Sequence, residues 1–393
     1  MSNVHVAGVG MINFTKPGDP KAPDYHLAAA EAMKAALADS GLAYEDMQQV
    51  HAGYVYGDSC CGMRAAYEVG QTGIPIFNYN SNCSTGSSAI YGARQAIQSG
   101  AVDVALVVGF EKMEKGALGV YFNDRMNPGS LHGMAMVKAQ GYDPKIPGAA
   151  QMFGGAGAEY QEKYGTKDEV FAQIQVKARQ HAKHNPKALF KEALTVEEIL
   201  ASPKQFGPLT RLQCCPPTCG AASAVLCSEE YAKKHGLADS VKILAQHMET
   251  DSPDSFAGSM YGVVGYGMSQ RAANKVFETT GFGAEDMDVI ELHDCFTSNE
   301  LLTYESLGLT PEGTAEKFIA DGDNTYGGKF VVNPSGGLLS KGHPLGATGL
   351  AQCYELVNQL RGSADKRQVE GAKLGLQHNI GIGGAVVITM YGI

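Results

Sequence analysis

The chain has 393 residues, 44 % of them hydrophobic and 18 % charged, with 49 glycines and a formal net charge of −10. That length exceeds what one hydrophobic core usually serves, so two or more packed units are expected, and the composition is that of a globular protein. The acidic balance argues against a nucleic-acid backbone or an anionic membrane surface as the main partner, while leaving room for an anionic small molecule at a local basic patch.

Residues 4–14 read as a strand ending in Gly8-Val9-Gly10. A dinucleotide fingerprint needs a third glycine at 13, which is Asn13, so that reading is rejected. The first ten residues carry no basic, apolar leader, and no apolar run reaches membrane-spanning length. With nine cysteines, reduced thiols and a cytoplasmic location are expected. Tyr391-Gly392-Ile393 is not a peroxisomal Ser-Lys-Leu type signal. Residues 25–40 have helical periodicity closed by Gly41, and a strand follows at 50–56.

Ile76-Phe77-Asn78-Tyr79-Asn80-Ser81-Asn82-Cys83-Ser84-Thr85-Gly86-Ser87-Ser88-Ala89-Ile90 reads as a short strand, a polar turn and a slim helix. Asn82 is expected to cap that helix and leave Cys83 in its first turn, where the dipole favours thiolate over thiol. The alternative is a buried structural cysteine. Residues 102–110 form an almost continuous apolar run, as in a strand buried on both faces.

From about 111 to 207 the chain mixes glycine, methionine, proline and charge. It reads as a long insertion with helices at 157–164, 168–185 and 196–201. Lys177, Arg179, Lys183, Lys187 and Lys191 form a local basic run that could meet phosphates or be an ordinary solvated face. Residues 209–226 return to strand and small-residue helix character. Cys214, Cys215 and Cys219 offer poor tetrahedral geometry and no histidine at ligand spacing, so packing is the assignment and no metal site is expected.

An internal repeat is visible. Gly41-Leu42-Ala43-Tyr44-Glu45-Asp46-Met47 recurs as Gly281-Phe282-Gly283-Ala284-Glu285-Asp286-Met287, each between an amphipathic helix and a strand. A second pairing sets Cys83 opposite His343 and Gly86 opposite Gly346. Two similar α/β halves are inferred, with the insertion inside the first. In the second half, an apolar strand runs into His293-Asp294-Cys295-Phe296, where open α/β sheets place ligands. Asp294 as a helix cap beside a buried cysteine is the alternative. Gly342-His343-Pro344 follows, with Pro344 suited to a helix's first turn and His343 just ahead of it, able to polarise a carbonyl or deprotonate a thiol, with a structural histidine the alternative. Gln377-His378-Asn379-Ile380-Gly381-Ile382-Gly383-Gly384-Ala385 is a polar corner and glycine loop before a terminal strand. No helix follows, so it is not a phosphate loop.

Together the NCSTGSSA, ELHDCF, NPSGGLLSKGHPLGATGLAQ and LQHN segments resemble the thiolase superfamily, within it the sterol-carrier-protein branch, over nearly the whole chain. The resemblance implies a thiolase fold: two similar βαβαβαββ halves stacked as five layers (αβαβα) with an inserted loop domain. Residues 1–118 and 208–238 would form the first half, 119–207 the loop domain covering CoA, and 239–393 the second half. It also implies acyl transfer between 3-oxoacyl-CoA and CoA, with CoA a co-substrate and no permanently bound cofactor, in a homodimer or homotetramer. Cys83 matches the nucleophile, and His343 matches the histidine that activates it and binds a thioester oxygen. Cys295 matches the acid/base, which in this branch replaces the cysteine of a C-terminal Cys-x-Gly motif. His378 stands at about the place of that missing cysteine. His293 falls where most thiolases carry an oxyanion-orienting asparagine, and Gly381 matches a backbone oxyanion donor. CoA contacts are expected in the loop domain near Lys177 and Lys183. Cys219-Gly220-Ala221-Ala222 departs from the usual Asp-Gly-Ala-Ala. A decarboxylating condensing enzyme using His343 with His378, and a non-catalytic lipid carrier or partner subunit, are the alternatives.

Overall fold

The computed structural model describes residues 3–116 and 118–393. Met1 and Ser2, within the stretch read for a leader, and Ala117 lie outside the described residues. Ten strands are present among the described residues: β1 (Val4–Met11), β2 (Gln49–Gly53), β3 (Ile76–Tyr79), β4 (Val104–Glu111), β5 (Gly220–Ser228), β6 (Val241–Thr250), β7 (Val289–Glu291), β8 (Val331–Val332), β9 (Leu374–Ile380) and β10 (Ala385–Gly392). Their order is β3-β2-β4-β5-β1-β6-β10-β9-β7-β8. Read outward from the β1/β6 seam, the two halves have one topology. In each, three neighbouring strands run parallel (β3, β2, β4 and β8, β7, β9), and the next strand (β5 and β10) pairs antiparallel both with them and with the last (β1 and β6). Among the described strands, the ladder of Val4–Val6 against Val241–Ile243 joins them, besides isolated bridges at Cys214–Phe296 and Pro217–His343.

Helices complete five layers. Tyr25–Ser40 covers β1, β4 and β5 on one outside, and Tyr266–Thr280 covers β6 and β10 on the other. Between the sheets Thr85–Gln98 and Thr348–Leu360 lie against each other. The heptapeptide repeat is structural. Gly41 and Gly281 each close a helix at positive φ (70° and 76°), and Asp46 and Asp286 each accept the N–H three residues back, at 2.8 and 2.7 Å. The second pairing is shifted by three. Gly86 and Gly349 are each the second residue of their helix. Gly86 is therefore equivalent to Gly349 rather than Gly346.

Three further expectations change. Residues 209–226 hold a short turn (Arg211–Gln213) and then β5, not a small-residue helix; alanines and serines suit β5 because it is buried between β4 and β1. Pro344 is not in a helical first turn, since the helix starts at Thr348. The insertion contains an unexpected helix, Ser130–Gln140, besides Gly148–Tyr164, Asp168–Ala182 and Val196–Ala201. It is also no mere excursion: Phe153, Tyr160, Phe171 and Ile174 share one apolar core with Leu301, Tyr304 and Leu338 of the second half. No helix among the described residues is long and apolar enough to cross a membrane.

One close contact sets the site's depth. A Cβ on Gly109 of β4 would lie 2.1 Å from the Gly346 carbonyl oxygen, so the segment after His343 rests directly on the strand. Gly109→Ala should therefore cost about 1–3 kcal/mol as overpacking, against the roughly 0.5–1 kcal/mol that alanine ordinarily gains over glycine in a strand. Urea unfolding with an unchanged midpoint would contradict this packing.

Candidate active site

Cys83 stands on a turn between β3 and the Thr85–Gln98 helix. Asn82 has φ +50°, and its amide donates to the Ile382 carbonyl at 2.6 Å, so it does not cap the helix. The cap position is Ser84, which leaves Cys83 one residue outside the helix. The expected thiolate preference is absent as well. Burial, and then the Glu111 carboxyl, push the Cys83 thiol up to about 12. Desolvation of an anion outweighs a nearby helix terminus.

Glu111, at the end of β4, lies below. Its oxygens accept the N–H groups of Val55 (3.1 Å), Tyr56 (2.8 Å) and Gly346 (2.9 Å), tying the exit of β2 to the segment after His343. Burial raises its carboxyl to about 7 against those three bonds.

The backbone N–H of His343 donates to the Thr218 hydroxyl at 3.0 Å, and its Nδ1 lies 2.7 Å from Thr348 Oγ1. Because that hydroxyl donates to the Pro344 carbonyl (3.0 Å), it accepts from Nδ1–H, and Nε2 carries the lone pair. His343 Nε2 is buried without a partner. The His293 ring meets the His343 ring edge-on, centroids 5.0 Å apart. Cys83 Sγ and one ring nitrogen of each histidine lie within 4.8 Å of one another. Burial takes His343 down to about 3 and His293 well below its usual range. With thiol and imidazoles shifted apart in this way, the uncharged forms are the resting forms.

Strand alternation corrects the reading of the C-terminal motif. His378 faces outward, its Nε2 3.0 Å from the Ser269 hydroxyl, and its Nδ1 accepts the backbone N–H of His293 at 3.3 Å. Asn379 faces inward. Its Nδ2 lies 3.0 Å from both the Cys83 carbonyl oxygen and His293 Nδ1. Asn379 with Gly381 keeps the Cys-x-Gly spacing, which was the available signal. Gly381 donates its N–H to Ala385 (2.9 Å), so it is not a free oxyanion donor. It is needed for closeness, since a Cβ there would lie 2.3 Å from the Ser81 carbonyl oxygen.

Cys295 is buried on a strand-like segment bridged to Cys214 through Phe296, and its carbonyl accepts the Cys215 N–H at 2.9 Å. Burial, and then the Cys215 and Cys83 thiols, hold the Cys295 thiol well above its usual value. Cys215, assigned above to packing, is thus a third thiol of this neighbourhood; Cys219 instead donates to the Met113 carbonyl. Asp294 caps not its own helix but Gly337–Ser340, accepting from Leu338 and Leu339 at 2.7 and 3.3 Å. Glu291 binds Ser335 and Lys341. These bonds fasten the HDCF segment to the chain leading into His343.

Two members of the basic run turn inward, away from any phosphate. Lys177 is buried against Glu300, Tyr304 and the Val332 carbonyl, and Lys187 turns in to the Met11 carbonyl. Lys183 is exposed.

Residues 4–230 match the family model for the thiolase N-terminal domain, and residues 259–390 the thiolase C-terminal domain-like model. The chain belongs to the thiolase family. This thiolase-family acyltransferase is 54 % identical to human sterol carrier protein 2 over 394 residues, covering 100 % of this chain and 72 % of that protein. Its fold is similar to an Ltp2-ChsH2(DUF35) aldolase (TM-score 0.81, 23 % identity, 99 % and 97 % of the chains). It is also similar to human mitochondrial 3-ketoacyl-CoA thiolase in complex with CoA (TM-score 0.75, 19 % identity, 100 % and 98 %).

A raised carboxyl makes a pH prediction. Glu111 is neutral in both states below its ordinary 4.5, and between 4.5 and about 7 only the unfolded chain ionises it. Its stabilisation is full below 4.5 and is lost as pH rises through 7, roughly 3 kcal/mol in all. Urea unfolding from pH 4.5 to 7.5 should show that extra loss in the wild type relative to Glu111→Gln. Parallel slopes would contradict it.

Proposed function

We propose that the chain is a 3-oxoacyl-CoA thiolase, cleaving its substrate with CoA to an acyl-CoA and acetyl-CoA or propionyl-CoA, or running the reverse condensation. What carries this reading is the buried, unpartnered His343 Nε2 in one cluster with the half-buried Cys83 thiol. Cys83 gives its proton to His343 Nε2 as the sulfur attacks the 3-oxo carbonyl. The developing oxyanion is held by His293 N–H and the protonated His343. The C–C bond breaks, and the enolate of the departing acyl-CoA takes the Cys295 proton. Incoming CoA returns a proton to Cys295 and its thiolate attacks the acyl-thioester. Cys83 leaves as thiolate and recovers its proton from His343. High thiol values suit this cycle, because each anion forms only when a partner consumes it.

In this reading residues 119–207 cover CoA and set the acyl group, between the halves 1–118 with 208–238 and 239–393. The Tyr121 ring meets the Tyr56 ring at a tilt of 54°, centroids 5.5 Å apart, and Tyr56 lies beside Cys83. A homodimer or homotetramer is the proposed assembly; β3 ends the sheet with Phe77 44 % exposed.

One observation favours a second reading, a decarboxylating condensing enzyme. Cys83 does meet two imidazoles, although they are His293 and His343 rather than His343 and His378. Turnover of malonyl-thioester in preference to 3-oxoacyl-CoA would select it.

Cys83→Ala should abolish the acyl adduct seen by intact-mass spectrometry and all thiolysis. Cys295→Ser should still acylate but lose on the order of 10²–10⁴ in turnover. Undiminished thiolysis by the Cys83 variant would end this proposal.

A further inference from the structure

The Asn379 amide is fixed on both sides: its Nδ2 faces the Cys83 carbonyl oxygen, which can only accept, and its Oδ1 faces the Ser87 hydroxyl. The Tyr391 hydroxyl donates to Gln377 Oε1 (2.6 Å), and Gln377 Nε2 donates to Ser87 Oγ (2.9 Å). Ser87 Oγ then donates to Asn379 Oδ1 (2.8 Å). That fixes the amide: its oxygen is taken, so Nδ2 is the atom facing His293 Nδ1, which accepts. An imidazole accepting at Nδ1 in its neutral form carries its proton on Nε2. The result is opposite to His343, whose Thr348 partner puts the proton on Nδ1.

The tautomer has two consequences. An Nε2–H is a donor, as an oxyanion requires. It is also unable to ligate a metal, which needs a lone pair. Cys83, His293 and His343 otherwise present sulfur and two nitrogens within 4.8 Å, with His343 Nε2 buried and unpartnered. Such a donor set suits zinc. We propose that Asn379 is a positioning residue that holds the His293 proton on Nε2 and thereby denies the Cys83–His293–His343 cluster to zinc. Only the catalytic consequence rests on the thiolase reading; the tautomer and the metal consequence do not.

Asn379→Asp tests it. A carboxylate gives up the bond to the Cys83 carbonyl but accepts from both Ser87 Oγ and His293 Nδ1, moving the proton to Nδ1 and freeing the Nε2 lone pair, the carboxylate–histidine–zinc arrangement. The variant should bind Zn²⁺ at least 10-fold tighter than wild type by calorimetry. Cys83→Ser in the variant should remove the gain. Its kcat should fall on the order of 10²–10³ with KM little changed. A folded variant that binds Zn²⁺ no tighter than wild type overturns the proposal. Should the variant not fold, imidazole ¹⁵N shifts of histidine-labelled wild type decide it, with His293 assigned by its loss in His293→Gln. A protonated Nε2 supports the assignment and a protonated Nδ1 overturns it. Failure of wild type to form an acyl adduct on Cys83 would sink the thiolase reading while leaving the zinc and tautomer results standing.

Discussion

The two central helices meet at their N-terminal ends with almost no side chain between them. A Cβ on Gly86 would lie 2.7 Å from the Gly346 carbonyl oxygen, and one on Gly349 would lie 2.2 Å from Ser87 Oγ. That approach is the constraint on which the rest depends. Cys83 precedes one helix and His343 the other, so the proposed nucleophile and its proposed base meet because the backbones touch. The single short seam between β1 and β6 would not by itself hold two half-sheets in register at the site.

Around this contact the molecule spends its buried polar groups on fixing loops. Glu111 joins the β2 exit to Gly346, Asp294 and Glu291 anchor the run into His343, and Asn379 links the Cys83 turn to His293. Each is a buried carboxyl or amide with several backbone or side-chain partners, the condition under which such groups rigidify rather than destabilise. The site's thiols and imidazoles are shifted toward their uncharged forms by burial. Reactivity in such a place comes from preorganised donors meeting charge as it develops, not from a standing thiolate.

Much of the fold was legible in one dimension. The Gly41 and Gly281 heptapeptides announced two copies of one unit, because a positive-φ cap followed by a self-bonded aspartate is local chemistry. The HDCF and GHP segments, with Cys83, supplied by residue type alone the groups on which the proposed chemistry rests. What misled was local too: Lys177 looked like a surface cation, Cys215 like filler, and His378 like the replacement for a lost cysteine. Burial against Glu300, backbone pairing with Cys295 and the strand's two-residue alternation are long-range facts that no neighbouring residue encodes.

Sequence by itself determined the duplicated α/β architecture and which side chains are available for chemistry, since both follow from short-range pattern and residue identity. Tertiary structure alone decided which of them meet and in what protonation state. Cys83 lies outside its helix and its thiol is raised, because desolvation in the packed centre exceeds the pull of the helix end. Asn379 rather than His378 faces the Cys83 turn because β9 shows one face to the central helices and the other to the outer one.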